Sequence, residues 1–152
     1  MAYQFVSYED HIADLLVSKG YRRFVGASPL AWDITIGRMN DLPDDQITIY
    51  QVGGNKPEVR WLVDYPAIQI KVRGGANNFK AAREKAEILS NLLVGQASYT
   101  AANGDRIVSI GGIGTVGALG WDDKKRPEFV LNLSMITEPH PDNRPNSNRE
   151  PL

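Results

Sequence analysis

Apolar residues recur along this chain with two periods, and the alternation between them divides it into helices and strands. Over residues 8–18, Ile12, Leu15 and Leu16 share one helical face. Ser7 is a suitable N-cap, Glu9 and Asp10 suit the positive end of the helix dipole, and Gly20 after Lys19 provides a stop. The spacing predicts a stronger helix over 78–93. Asn77 or Asn78 caps it, and Phe79, Ala82, Ala86, Leu89 and Leu93 form the stripe. Ile88 and Leu92 widen that stripe, and Gly95 ends the helix.

Elsewhere the period is two. Ile47 and Ile49 alternate with polar residues over 46–52, before a turn at Gly53-Gly54. The segments VRWLVD (59–64) and AIQIKVR (67–73) read as two further strands separated by Tyr65-Pro66. In the latter, Ile68, Ile70 and Val72 point one way while Gln69, Lys71 and Arg73 point the other. That alternation predicts a sheet buried on one side and wet on the other. Asn103-Gly104 suits a tight turn in a hairpin over 98–110, and Phe129, Leu131, Leu133 and Met135 mark a last strand over 127–137. Between the first helix and these strands, Pro29 interrupts a segment in which Trp32, Ile34 and Ile36 suggest a short extended piece or a partly buried loop.

After Thr137 the pattern stops. EPHPDNRPNSNREPL contains four prolines, three asparagines and one apolar residue, Leu152. It offers too little apolar surface to offset the entropy of ordering. The expectation is therefore one domain over residues 1–136 and a polar tail over 137–152. That tail is extended or disordered, either simply exposed or ordering against a partner.

Composition narrows the function more by exclusion than by suggestion. The 152 residues suffice for a single domain with a substantial core. Seventeen basic and 18 acidic side chains leave a net charge of −1, so no overall excess points to nucleic acid or an anionic membrane. The absence of cysteine removes disulfides, thiolate metal sites and a cysteine nucleophile, and two histidines, His11 and His140, cannot form a multi-histidine metal site. The first residues show neither a basic region nor an apolar stretch, so no signal peptide is expected. No apolar run approaches the ~20 residues that a spanning helix needs. The expectation is a soluble protein made in a cytoplasm.

One motif invites a cofactor. Gly112-Ile113-Gly114-Thr115-Val116-Gly117 has the G-x-G-x-x-G spacing of dinucleotide-binding turns. Such a site needs a helix directly after the glycines, with its N-terminus facing the pyrophosphate. Here Gly117 and Gly120 interrupt the place where that helix would run, and too few residues remain before the next strand for a crossover. The acidic residue expected ~20 positions on falls within LNLSMIT instead. The stretch therefore reads as a Gly-rich loop, and no cofactor is expected.

Other chemistry is sparse. Asp44-Asp45 and Asp122-Asp123 are paired carboxylates, but in loops such pairs usually cap backbone groups or face water. Neither histidine has a sequence neighbour that suggests a triad. Trp32, Trp61, Trp121, Tyr50 and Tyr65 are more economically read as packing residues than as base-stacking platforms, and Lys71 and Arg73 of IQIKVRGG offer thin support for a basic face beside them.

Two segments together resemble the tail terminator proteins of siphophages, also described as tail completion or minor capsid proteins. DYPAIQIKVRGGANNFKAAREKAEILSNLL has a proline, a strand ending in Arg-Gly and a helix beginning a few residues later. GALGWDDKKRPEFVLNLSMI is similar to the end of that family's domain, with Gly120, Asp122, Arg126-Pro127 and Asn132 at the matching positions. YEDHIADLLVSKG fits the amphipathic helix with which members begin. The resemblance implies an α+β fold in which a mostly antiparallel β-sheet packs against two amphipathic helices. It also implies a structural virion protein rather than an enzyme, a homo-oligomer, commonly a hexameric ring. Its partners would be the tail tube protein and the head-tail connector protein, with no membrane and no specific nucleic acid.

Under that reading, contacts fall on strand edges, the 73–78 turn and the 111–126 loop. The candidate interface residues are Arg73, Gly74, Gly114, Asp122 and Arg126. Arg73, Asp122 and Arg126 are candidates for ion pairs between subunits, with solvated surface charge as the alternative. Other readings are a different neck or tail-tube protein, a small nucleotide-binding domain, or a nucleic-acid-binding module.

Overall fold

The computed structural model describes residues 5–152. It contains α1 (Tyr8–Ser18), β1 (Asp33–Ile36), β2 (Gln46–Asn55), β3 (Tyr65–Arg73), α2 (Phe79–Leu93), β4 (Tyr99–Thr100), β5 (Arg106–Gly112), β6 (Gly117–Trp121) and β7 (Pro127–Glu138). A 3₁₀ turn, Pro141–Asn143, follows. The strands form one seven-stranded sheet in the order β1-β2-β3-β7-β5-β4, with β6 also paired to β7. Only β1 and β2 run parallel. The protein is α+β, as expected.

Cross-strand register explains why one face is dry. Ile47 pairs with Val72 and Val72 with Phe129; Ile49 pairs with Ile70 and Ile70 with Leu131. These rows face α1 and α2. Ile12 and Leu16 of α1, and Ala82, Ala86, Leu89 and Leu93 of α2, close a single apolar core over them. Burying each large side chain there contributes roughly 1.5–3 kcal/mol.

The helix ends follow local chemistry. Ser7 and Asp10 form a capping box: the Asp10 N–H donates to Ser7 Oγ at 3.1 Å, and the Ser7 N–H donates to Asp10 Oδ2 at 3.3 Å. Asn78 caps α2 by accepting from the Ala81 N–H at 3.3 Å. Ile88 does not widen the buried stripe; it is exposed, because its position on α2 turns it away from the sheet. Phe79 sits at the start of the helix, half exposed, with its ring against Phe129 and Trp121.

Three expectations need correction. Residues 59–64 are not a strand. Leu62 and Val63 are consecutive and both buried, which the alternation of a one-sided strand does not allow, and the segment makes only isolated bridges, Trp61 with Glu150 and Asp64 with Thr137. Tyr65-Pro66 does not separate two strands but opens β3. It lies so close to β2 that a Cβ on Gly54 would come 2.1 Å from the Tyr65 carbonyl oxygen.

The glycine-rich stretch is not a plain loop either. The edge beside β7 advances from Gly112 to Gly117 while β7 moves only from Leu133 to Val130, so two residues are extruded and pairing then resumes. β5 and β6 are thus one interrupted edge strand, and G-x-G-x-x-G spans its bulge. A second irregularity follows at Ala118/Gly120, where Gly120 takes φ +112°, a conformation that favours glycine.

The parallel pair β1 and β2 is joined by residues 37–45 without a helix. This crossover loop lies over the outer face of the sheet and buries Thr35, Gln46 and Thr48. Gln46 holds it from beneath, accepting from the Asn40 N–H at 2.7 Å and donating to the carbonyls of Asn40 and Pro43.

The chain beyond Thr137 makes specific contacts with the rest of the molecule. Asn143 is buried, Arg149 donates to Asp64 Oδ1 at 2.7 Å, and the Glu150 backbone bonds to Arg60 and Leu62. It is held by polar groups, while Leu152 remains exposed.

Candidate assembly surface

At one end of the sheet three segments meet: the end of β3, the crossover loop, and the β6–β7 turn. Arg126, in that turn, is buried and makes four hydrogen bonds. Its Nε donates to Asp122 Oδ2 at 2.7 Å, and its terminal nitrogens donate to the Asp41 carbonyl at 2.6 Å, Asp44 Oδ1 at 3.0 Å and Asp41 Oδ1 at 3.2 Å. Burial opposes the charge on Arg126, but its carboxylate partners, Asp122 first, outweigh that and raise its pKa. Burial likewise opposes ionisation of Asp122, and the hydrogen bonds from Arg126 outweigh it and lower its pKa.

Arg73 is buried too, although strand alternation places it on the wet face. The crossover loop covers it. Its guanidinium donates to the carbonyls of Asp44 (3.0 Å), Asn40 (2.7 Å), Asp41 (3.0 Å) and Pro43 (2.9 Å). Burial, and then the neighbouring Arg126, push its pKa down. A planar donor fork suits such a set of carbonyls, and a lysine would not reproduce it.

The paired carboxylates serve this knot. Asp44 takes Arg126, Asp45 accepts from the Gly75 N–H at 2.8 Å, and Asp122 also accepts from the Lys124 N–H at 3.0 Å. Lys124 closes the outside of the knot on Asp41 at 2.7 Å. Gly74 is needed beneath it, since a Cβ there would lie 2.8 Å from Ala82 Cβ.

The structure therefore gathers Arg73, Gly74, Asp122 and Arg126 into one feature, with the two arginines bonded inside the chain. Gly114 sits apart, at the bulge between β5 and β6, with φ +74° and open space around it. Near the knot, Trp121 on β6 and Phe79 are exposed with their rings 5.9 Å apart, and Leu119 on β6 and Ile113 on the bulge are exposed as well. Further along the outer face, Gln69 donates to Asn132 at 3.2 Å and Lys71 approaches Glu128 at 3.7 Å.

A second polar node was not legible from the sequence. Asp105, fully buried, faces His11 Nε2 at 2.9 Å and accepts from the His140 N–H at 2.8 Å, Asn143 Nδ2 at 3.0 Å and Asn103 Nδ2 at 3.1 Å. The only local signal was Asn103-Gly104-Asp105 itself, and its partners come from residues 94 positions before Asp105 and 35 and 38 after it. Among the described residues, no group of three or more His, Asp or Glu is placed to hold a metal ion.

The strands, α2 and the arginine knot all lie in the segment that matches a known family. Residues 25–139 match the family described as bacteriophage tail terminator protein. The chain belongs to the tail terminator family. It is accordingly a structural protein of the phage tail, the role named for that family. The matched segment begins after α1 and ends before the 3₁₀ turn, so the His11–Asp105–Asn143 node ties this tail terminator domain to both of its flanks. No curated protein matches the chain significantly.

Proposed function

We propose that this protein forms a ring, of six subunits, that caps the finished tail tube, ends its polymerisation and presents a surface to the head-tail connector. Membership of the tail terminator family over residues 25–139 carries this reading. A subunit that binds the last tube ring and offers no matching surface to another tube subunit stops growth, and closure into a ring makes the assembly finite.

The molecule has features suited to that task. Its apolar core is confined to one face of the sheet, leaving open strand edges and the part of the outer face outside the crossover loop for contacts. The 73–78 turn and residues 111–126 flank the arginine knot, which gives them a fixed shape. Within this reading Arg73 and Arg126 position the contact loops, Asp122 anchors the β6–β7 turn, Gly74 allows α2 to pack close to the sheet, and Gly114 presents exposed backbone. The partners are the tail tube protein and the connector, in a virion assembled in the host cytoplasm. The role requires no cofactor.

The test is genetic. A phage carrying an amber codon in this gene should produce overlong or headless tails in a non-suppressing host, seen by negative-stain microscopy. Wild-type protein supplied in trans should restore normal particles. Tails of normal length joined to heads, in the absence of the protein, would overturn the reading.

A further inference from the structure

Among the described residues, two stretches of this sheet present strand edges with no neighbouring strand. One is the outer side of β6, Gly117–Trp121, which pairs only with β7. The other is β2 from Tyr50 to Asn55, because β1 pairs with β2 only up to Ile49. The remaining edges are covered or short, the outermost strand β4 spanning only two residues. Residues 22–24 bond along the outside of β1, β4 pairs with β5, and the Gly95 N–H reaches the Ile110 carbonyl at 2.9 Å.

Both open stretches lack the devices that usually protect an edge. Gly-Ala-Leu-Gly-Trp and Tyr-Gln-Val-Gly-Gly-Asn contain no charge and no proline. Each has a bulge, which bends the strand but leaves its outer side open. Each also exposes a large apolar side chain: Val52 is 50% exposed and Leu119 52%.

We infer that subunits join by β-strand addition, the β6 edge of one copy pairing with the Tyr50–Asn55 edge of the next. The inference rests on the ring reading and names its interface. A second copy is the occupant because the two edges are different surfaces on opposite sides of one sheet. Joining one to the other is a head-to-tail contact that repeats and closes under rotation. The strand directions agree with this. β6 runs antiparallel to β7, β7 to β3 and β3 to β2, so β6 and β2 are antiparallel within a subunit. Rotation about an axis along the strands preserves that sense, so the new pair is also antiparallel.

The stagger agrees as well. Register carries Gly117 through Val130 and Lys71 to Thr48, whereas the open part of β2 begins two residues beyond Thr48. Joining edges at opposite ends of the strands tilts them against the ring axis, as closing a twisted sheet requires.

The chain has no cysteine, so an introduced thiol is unique. The experiment applies a short bis-maleimide to Leu119→Cys, Val52→Cys and the double variant, followed by denaturing gels. The double variant should give a ladder of covalent multimers, and a mixture of the two single variants should give dimers containing one of each. Dimers from Leu119→Cys alone would show β6 pairing with itself and overturn the inference. Oligomers seen by native mass spectrometry with no cross-link in the double variant would overturn it while leaving the ring reading intact. A wild-type chain that stays monomeric, alone and with tail tubes, would overturn both. Leu119→Lys and Val52→Lys should each abolish the oligomer without changing the subunit's melting temperature. An unchanged oligomer in both would overturn the inference.

Discussion

Asp105 and His11 meet at 2.9 Å, both side chains buried, and join the hairpin to the first helix. A carboxylate only accepts, so the facing ring nitrogen carries a proton. The same carboxylate holds Asn143 and the His140 amide, making it the point where α1, the β4–β5 hairpin and the C-terminal segment converge. Replacing Asp105 by Ala leaves several buried donors without an acceptor. It should destabilise the fold by roughly 3–5 kcal/mol in urea denaturation. Asp105→Asn keeps one acceptor oxygen and should cost less.

Acid should act through the same group. Burial alone would raise the Asp105 pKa, but the donors, His11 first and then Asn143 and the His140 amide, outweigh it and hold the carboxyl well below the usual range. A carboxyl with a depressed folded pKa contributes stability above its unfolded value and loses it as pH falls toward the folded one. The urea midpoint should therefore stay level from pH 7 to 5 and decline below about pH 4. Asp105→Asn should flatten that acid decline.

Alkaline titration tests two other buried groups. Burial pushes the Tyr8 hydroxyl up to about 12, helped by Asp64, and burial also pushes Tyr99 up to about 12. In an absorbance titration these two should ionise above the ordinary tyrosine range. Raised pKa values mean that their contribution is complete below about pH 10 and is lost as pH approaches 12.

Arg126→Ala should loosen the knot without touching the apolar core. Asp41, Asp44 and Asp122 would lose the cation they share, and because Asp41 and Asp44 are exposed the effect should be local opening rather than a large loss of global stability. Hydrogen exchange should accelerate over 38–46 and 122–126 while β3 and β7 stay protected. Arg126→Lys should recover only part of the protection, because a point charge cannot serve four directions at once.

Gly54→Ala tests the close approach of β2 and β3. A Cβ would meet the Tyr65 carbonyl at 2.1 Å with φ at +137°, so the strands must separate there. The melting temperature should fall, with faster exchange confined to 51–66. Gly37→Ala, strained at φ +73° but with open space around it, should be milder.

Elements with a long, regular pattern were legible. Ile68, Ile70 and Val72 alternate within β3, and Ala82, Ala86, Leu89 and Leu93 recur along α2, so burial of one face dictated both. The segment 59–64 misled because its backbone bridges two different neighbours, the C-terminal chain at Trp61 and β7 at Asp64, so its apolar residues follow neither period. β6 was hidden because glycine carries no side-chain pattern, and its strand conformation comes from pairing with β7. The bonding of the candidate residues was not legible. Arg73, Asp122 and Arg126 stood out in the sequence, but their partners lie on a crossover loop about 30 to 85 residues away for the two arginines.

The sequence by itself determined the two helices, the one-sided strands and the resemblance to tail terminators, because periodicity, caps and short motifs act within a few residues. Tertiary structure decided that Arg73 and Arg126 bond inside the chain, that His11 meets Asp105, and that the glycine stretch is an edge strand with a bulge. Each of these depends on which distant backbone arrives alongside. Buried polar groups and strand edges are satisfied by partners in space, and local pattern does not encode those partners.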